Sequence, residues 1–81
     1  MDKKEKEELL KEIEEYSKKI KEEPNNDVYY NNRGVAFDNL EEFDKAIEDY
    51  NKAIELEPNN ASYWNSRGDV YYFLKNYETA I

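Results

Sequence analysis

The stretch "YYNNRGVAFDN" at residues 29–39 has a counterpart 34 residues later, "YWNSRGDVYYF" at residues 63–73. The two share tyrosine, asparagine, arginine and glycine at matching positions. Extending the comparison to residues 24–47 against residues 58–81 gives ten identities in 24 positions without a gap. Unrelated stretches of that length would agree at about one or two positions, so the chain contains an internal repeat.

The head of the chain follows the same period. Residues 9–26 align with residues 43–60 at ten of 18 positions. Both stretches carry isoleucine, tyrosine and isoleucine at steps of three and four, which is helical rather than strand spacing. We therefore predict a single domain in three parts: an N-terminal capping helix within 1–24, a complete repeat at 27–60 and an incomplete repeat at 61–81.

The apolar spacing predicts an all-α chain. Helices are expected near 3–22, 27–40, 43–56 and 61–74, with a short stub after 77. Asn26 and Asn60 are placed to act as N-caps, and Pro24 and Pro58 fall just beyond helix ends. The expected packing positions are Tyr30, Gly34 and Phe37 in one helix and Phe43, Ala46, Ile47, Tyr50, Ala53 and Ile54 in the next.

These positions resemble the tetratricopeptide repeat (TPR). The resemblance rests on Tyr30-x-x-Arg33-Gly34-x-x-Phe37, followed by Phe43-x-x-Ala46, Tyr50, Ala53 and Pro58, and on the second copy beginning Trp64-x-x-Arg67-Gly68-x-x-Tyr71. It implies a right-handed solenoid of antiparallel helix pairs. The sequence departs from the family pattern in having Arg33 and Arg67 where leucine is usual. Glu41 and Lys75 likewise stand where glycine is frequent.

The tripeptide Arg67-Gly68-Asp69 also occurs in adhesive proteins, where it is displayed on an exposed loop. Here it falls in the middle of a predicted helix, with Gly68 expected on the packing face like Gly34. A short motif has meaning only in its structural context. We therefore interpret the tripeptide as part of the repeat.

Composition narrows the function. The 81 residues carry 20 acidic and 12 basic side chains, a net charge of −8, and neither Cys nor His. This charge disfavours nucleic acid and anionic membrane surfaces as partners. No arrangement of side chains suggests catalysis, a metal site or a cofactor, so we predict a protein that is not an enzyme. The lack of cysteine fits a cytoplasmic protein.

The resemblance implies a concave groove for an extended or helical peptide. The predicted lining lies opposite the packing positions and comprises Val28, Asn31, Val35, Asp38, Ser62, Asn65, Asp69 and Tyr72. No Lys or Arg projects from this face, so binding of a peptide's C-terminal carboxylate is disfavoured. A neutral or basic peptide is the expected partner.

An alternative is a structural or engineered repeat fragment that self-associates. Residues 1–24 hold fifteen Glu or Lys, which suits a natural capping helix and a designed helix equally. The sequence ends five residues into the helix expected to cover residues 61–74. An apolar surface formed by Tyr63, Trp64, Tyr71 and Leu74 would then be exposed, which favours a homo-oligomer. The head helix of another molecule, through Leu9 and Ile13, is the candidate cover, giving a closed dimer by reciprocal exchange or an open chain by one-way exchange. Fraying of residues 77–81 in a monomer remains open beside this.

Overall fold

The computed structural model describes the backbone of residues 1–80 and the side chains of residues 1–76. Four helices follow one another: α1 (Lys3–Glu22), α2 (Asp27–Asn39), α3 (Phe43–Leu56) and α4 (Ala61–Ala80). No strand occurs among the described residues, which confirms the all-α prediction. Helix α1 packs on α2, α2 on α3, and α3 on α4, while α2 and α4 touch at a few positions.

The connections between helices repeat as the sequence predicts. The side chain of Asn26 accepts a hydrogen bond from the Val28 N–H at 3.0 Å, and that of Asn60 accepts from the Ser62 N–H at the same distance. The carbonyl oxygens of Pro24 and Pro58 accept hydrogen bonds from the Tyr30 hydroxyl and the Trp64 indole N–H. Each cap satisfies an N–H that the first turn would otherwise leave unpaired.

The turn between α2 and α3 depends on Glu41, which has a φ of 62°. That left-handed conformation favours glycine and costs a residue with a side chain about 1 kcal/mol or more. This is the position at which the resembled family often has glycine. Here the packing of the whole of α3 on α2 offsets the cost.

Helices α2 and α3 approach closely at Gly34, as predicted. A Cβ atom added to Gly34 would lie 2.9 Å from Cε1 of Tyr50 and 3.2 Å from Cβ of Asp49. The Tyr50 ring is therefore packed directly on the α2 backbone. Since Tyr50 is only 1% exposed, its ring has little room to move away.

The core consists of two adjoining clusters. One contains Ala46, Tyr50 and Val70, and the other contains Ala53, Ile54 and Tyr63. Partly buried side chains complete them: Phe37, Phe43, Ile47 and Leu74 on the first, and Tyr30 on the second. Both clusters join α3 to α4, which shows that the start of the second repeat belongs to the same core.

A polar contact also joins three helices. The Arg33 guanidinium on α2 donates to both carboxylate oxygens of Asp49 on α3, at 2.8 and 2.7 Å. It also donates to the Ser17 hydroxyl on α1 at 3.1 Å. The hydrogen bonds to Asp49 raise the pKa of Arg33. The side chain of Asp49 is 6% exposed, so this carboxylate depends on Arg33 for its partner.

Two expectations for the C-terminal part were wrong. Helix α4 continues without a break through residues 75 and 76 to Ala80, instead of ending near 74 before a separate stub. A turn at Lys75 would need the costly conformation seen at Glu41, which a continuous helix avoids. The predicted matches of Tyr77, Ala80 and Ile81 to the first repeat lie outside the described side chains.

The second error concerns Gly68. A Cβ atom there would meet nothing within 4 Å, and the residue is exposed rather than packed like Gly34. Among the described residues, no helix covers α4 in the way that α3 covers α2. The Arg67-Gly68-Asp69 tripeptide does lie inside a helix, as predicted.

The two glycines provide a matched test of the α2–α3 contact. Gly34→Leu should lower the free energy of unfolding by about 1–3 kcal/mol, because the new side chain collides with Tyr50. Gly68→Leu should raise it by about 0.5–1 kcal/mol, because leucine is the better helix former in open space. Denaturant unfolding followed by circular dichroism measures both, and equal shifts would contradict the contact.

The ion pair provides a second test. Asp49→Leu should destabilise the protein by about 2 kcal/mol, since Arg33 then loses its two charge-assisted hydrogen bonds in a half-buried position. The double variant Arg33→Leu/Asp49→Leu should recover most of that loss, because two apolar side chains can pack together there. A double variant less stable than Asp49→Leu would contradict this expectation, because Arg33 would then stabilise the fold through contacts other than Asp49.

Candidate peptide groove

The predicted groove residues lie on α2 and α4, which both pack on α3 and touch each other at a few positions. Val28, Asn31, Val35 and Asp38 project from α2, with both valines exposed and the two polar residues half-buried. Ser62, Asn65, Asp69 and Tyr72 project from α4 and are exposed, Tyr72 to 65%. We call these eight residues the groove face. It combines apolar side chains, amides and carboxylates, and includes no cation.

A carboxylate pair is the main electrostatic feature of the groove face. Burial raises the pKa of Asp38, and the nearby negative charge of Asp69 raises it further. The two aspartates therefore share one region of negative potential between α2 and α4. Since neither is held by an ion pair among the described residues, this region would be stabilised by an added positive charge.

Tyr50 forms the floor beneath this pair. Its pKa is raised chiefly by burial and then by the charges of Asp38, Asp49 and Asp69. The Ser66 hydroxyl on α4 is hydrogen-bonded to the Tyr50 hydroxyl. One aromatic side chain of α3 thus contacts α2 at Gly34 and α4 at Ser66, and it holds the two halves of the groove face together.

Asn31 contains an unused hydrogen-bonding group. Among the described residues, its Oδ1 atom is the buried side-chain oxygen that lacks a hydrogen-bond partner. A buried acceptor without a donor costs about 1–3 kcal/mol. Because this oxygen is buried, a ligand donor would reach it only after the Asn31 side chain turned towards the groove face.

An aromatic cleft lies next to Asp38, near the C-terminal end of α2. It has a volume of about 380 Å³ and is lined by Asp38, Asn39, Glu41, Phe43 and Phe73. The rings of Phe43 and Phe73 stack with their centroids 6.3 Å apart. The cleft combines aromatic rings with two carboxylates, the surroundings that suit an ammonium or guanidinium group.

The self-association candidates divide into two groups. Trp64 and Tyr71 are exposed on α4, at 47% and 50%. Tyr63, by contrast, is 4% exposed and belongs to the core, so its assignment to an exposed surface was wrong. Its hydroxyl donates to Asp27 at 2.6 Å, and burial with this bond raises the pKa of Tyr63 to about 12.

Leu74, the fourth residue predicted to be exposed on α4, is less exposed than expected. Leu74 is half-buried against the first core cluster, because α3 already covers that side of α4. Leu9 and Ile13 on α1 are also half-buried. The surface of α4 that no described residue covers is therefore narrower than predicted and centres on Trp64 and Tyr71.

The sequence analysis overlooked Tyr50, Ser66 and Phe73 as parts of this region. Tyr50 was interpreted only as a packing residue, although the charges of Asp38 and Asp69 also raise its pKa. Ser66 and Phe73 occupy the positions of Asn32 and Asn39 in the first repeat, and those asparagines gave no signal in the apolar pattern. A comparison of helix faces between the two repeats would have found both.

The described residues hold no group of three or more Cys, His, Asp or Glu side chains arranged to bind a metal ion. None of their helices is both long enough and apolar enough to cross a bilayer.

Comparison with known families supports the repeat assignment. A family model described as a tetratricopeptide repeat matches residues 28–60, and a second model of the same description matches residues 49–81. No curated protein matches the chain. With the helix pairs and the close contact at Gly34, these matches show that the chain belongs to the tetratricopeptide repeat family. Such domains are generally protein–protein interaction modules and are typically not enzymes.

The raised pKa of Asp38 predicts a pH effect on stability. The folded state holds its proton to a higher pH than the unfolded state, so ionisation of Asp38 disfavours folding once the pH exceeds its ordinary value of 3.8. Asp38→Asn should therefore stabilise the protein at pH 7, and the gain should shrink towards zero near pH 3. Unfolding curves at both values test this, with Glu48→Gln at an exposed position of α3 as control.

Proposed function

We propose that this chain is a peptide-binding module whose ligand lies along the groove face. The observation that carries the proposal is the Asp38–Asp69 carboxylate pair, which no ion pair balances among the described residues. The exposed Val28 and Val35 supply apolar contact beside these polar groups. In this proposal residues 27–60 form the complete repeat, residues 1–24 cap it, and residues 61–81 begin the next.

The charge of the face determines which peptides we expect to bind. Asp38 is already disfavoured as a carboxylate by burial and by Asp69, so a second anion would meet strong repulsion. A lysine or arginine side chain would relieve that repulsion and find aromatic rings in the adjoining cleft. We therefore propose a neutral or basic peptide segment as partner, rather than an acidic C-terminus, with binding in the cytoplasm.

The test uses three decapeptides that differ only in charged residues: lysine-rich, uncharged and glutamate-rich, all with amidated C-termini. NMR titration should show the lysine-rich peptide shifting the amide signals of α2 and α4 around Asp38 and Asp69. The glutamate-rich peptide should leave them unchanged. Asp38→Asn/Asp69→Asn should weaken lysine-rich binding by about tenfold, since it removes about 1.4 kcal/mol of attraction.

Two asparagine variants separate the contribution of the Asn31 amide to peptide binding from that of the aspartate charges. Asn31→Ala should weaken all peptides that bind, by about threefold to tenfold, because it removes an amide that would turn outward to contact the ligand. Asn25→Ala, in the turn before α2, should leave binding unchanged. Equal binding of the glutamate-rich peptide, or signal changes confined to other surfaces, would contradict the groove proposal.

A further inference from the structure

Arg33 and Arg67 occupy equivalent positions in the two repeats but have different surroundings. Each reaches back to the preceding helix: Arg33 donates to Ser17 on α1 at 3.1 Å, and Arg67 donates to Asn51 on α3 at 2.7 Å. Only Arg33 is also held from the other side, by its two hydrogen bonds to Asp49. Arg67 therefore presents a guanidinium with its second side open among the described residues.

The aromatic rings beside the two arginines also differ in how far another helix covers them. Arg33 lies between Tyr30 and Phe37, with its Cζ 5.9 Å from each ring centre. Arg67 lies between Trp64 and Tyr71, at 4.8 and 6.0 Å. Helix α3 covers the first group, whereas Trp64 and Tyr71 are about half exposed and Gly68 faces open space. We call Trp64, Arg67, Gly68 and Tyr71 the open face of α4.

Helix α3 shows which kind of helix fits such a face. It places a carboxylate, Asp49, on the arginine and directly after it an aromatic ring, Tyr50, on the glycine. Helix α1 carries the same pair, Glu15-Tyr16, at the equivalent positions of the repeat. Glu15 is exposed, Tyr16 is half-buried with its ring centroid 6.4 Å from that of Tyr29, and among the described residues α1 packs against α2 alone. The outer side of α1 is thus available to another helix.

We propose that α1 of a second copy of the chain packs on the open face of α4. Glu15 of the second copy pairs with Arg67, and Tyr16 fills the space above Gly68. Each copy offers α4 at one end and the outer side of α1 at the other. The contact joins two different surfaces, and the described residues of α1 and α4 do not touch within one copy. We therefore place it head-to-tail, extending into a chain of copies, whereas a reciprocal exchange would close a dimer.

Two side chains of α1 make this contact weaker than the one between α2 and α3. Glu12 and Lys19 stand where α3 has Ala46 and Ala53, both of which are fully buried. Long charged side chains hold two helices further apart and lose hydration when covered. We therefore expect association at about 100 µM, and Glu12→Ala/Lys19→Ala should shift it to lower concentration by about tenfold.

The decisive test is a charge exchange followed by analytical ultracentrifugation of the 81-residue chain from about 10 µM to about 1 mM. The average mass of the unchanged chain should rise above 9.8 kDa with concentration. Glu15→Arg and Arg67→Glu should each weaken association about tenfold or more, and an equimolar mixture of those two variants should associate again. Glu14→Arg, with the same charge change on an exposed neighbour, is the control.

The single tryptophan gives an independent readout, because Trp64 lies in the open face. Its emission should shift to shorter wavelength as association covers it. A mass of 9.8 kDa throughout would overturn the proposal. The proposal would also be overturned if neither Glu15→Arg nor Arg67→Glu weakened association, or if their equimolar mixture failed to restore it. A plateau at two copies would overturn the head-to-tail arrangement.

Discussion

The contact between Gly34 and the ring of Tyr50 is the constraint on which the rest of the structure depends. A Cβ atom added to Gly34 would lie 2.9 Å from the ring, which leaves room for hydrogen only, so α2 and α3 are fixed in depth and register. The same ring then reaches Ser66 on α4. Because one buried side chain contacts three helices, the groove face is set by core packing and requires no flexible loop to form it.

Polar contacts add selectivity to this packing. Arg33 stands where the family usually has leucine, and it satisfies its donors only if Asp49 and Ser17 lie on its two sides. An apolar side chain would accept many neighbouring helices, whereas a half-buried guanidinium disfavours any helix without a carboxylate at the right position. Arginine in place of leucine therefore restricts which helices can pack beside each helix pair in this chain.

The sequence predicted the repeat, the helix caps and the close contact at Gly34, because all three follow from local spacing and residue type. It did not predict the burial of Asp49, since an aspartate in an amphipathic helix resembles a solvated residue until its arginine is placed. The pattern also failed at Gly68 and Tyr63. Both were assigned by analogy with the first repeat, whereas their exposure depends on which helix lies beside them. The groove candidates lie on two neighbouring helices, their assignment as a binding site stays a prediction, and the influence of Tyr50 on them required the fold.

The groove and the open face of α4 belong to the same helix but differ in charge. Asp69 and Tyr72 face the groove, where Asp38 adds negative charge, while Arg67 lies on the other side between Trp64 and Tyr71. A helix that carries acidic and basic residues on separate faces disfavours the exchange of their ligands, because a cationic segment is repelled by Arg67 and an acidic helix by the aspartates. Peptide binding and association between copies can therefore occur on one helix without competing for one surface.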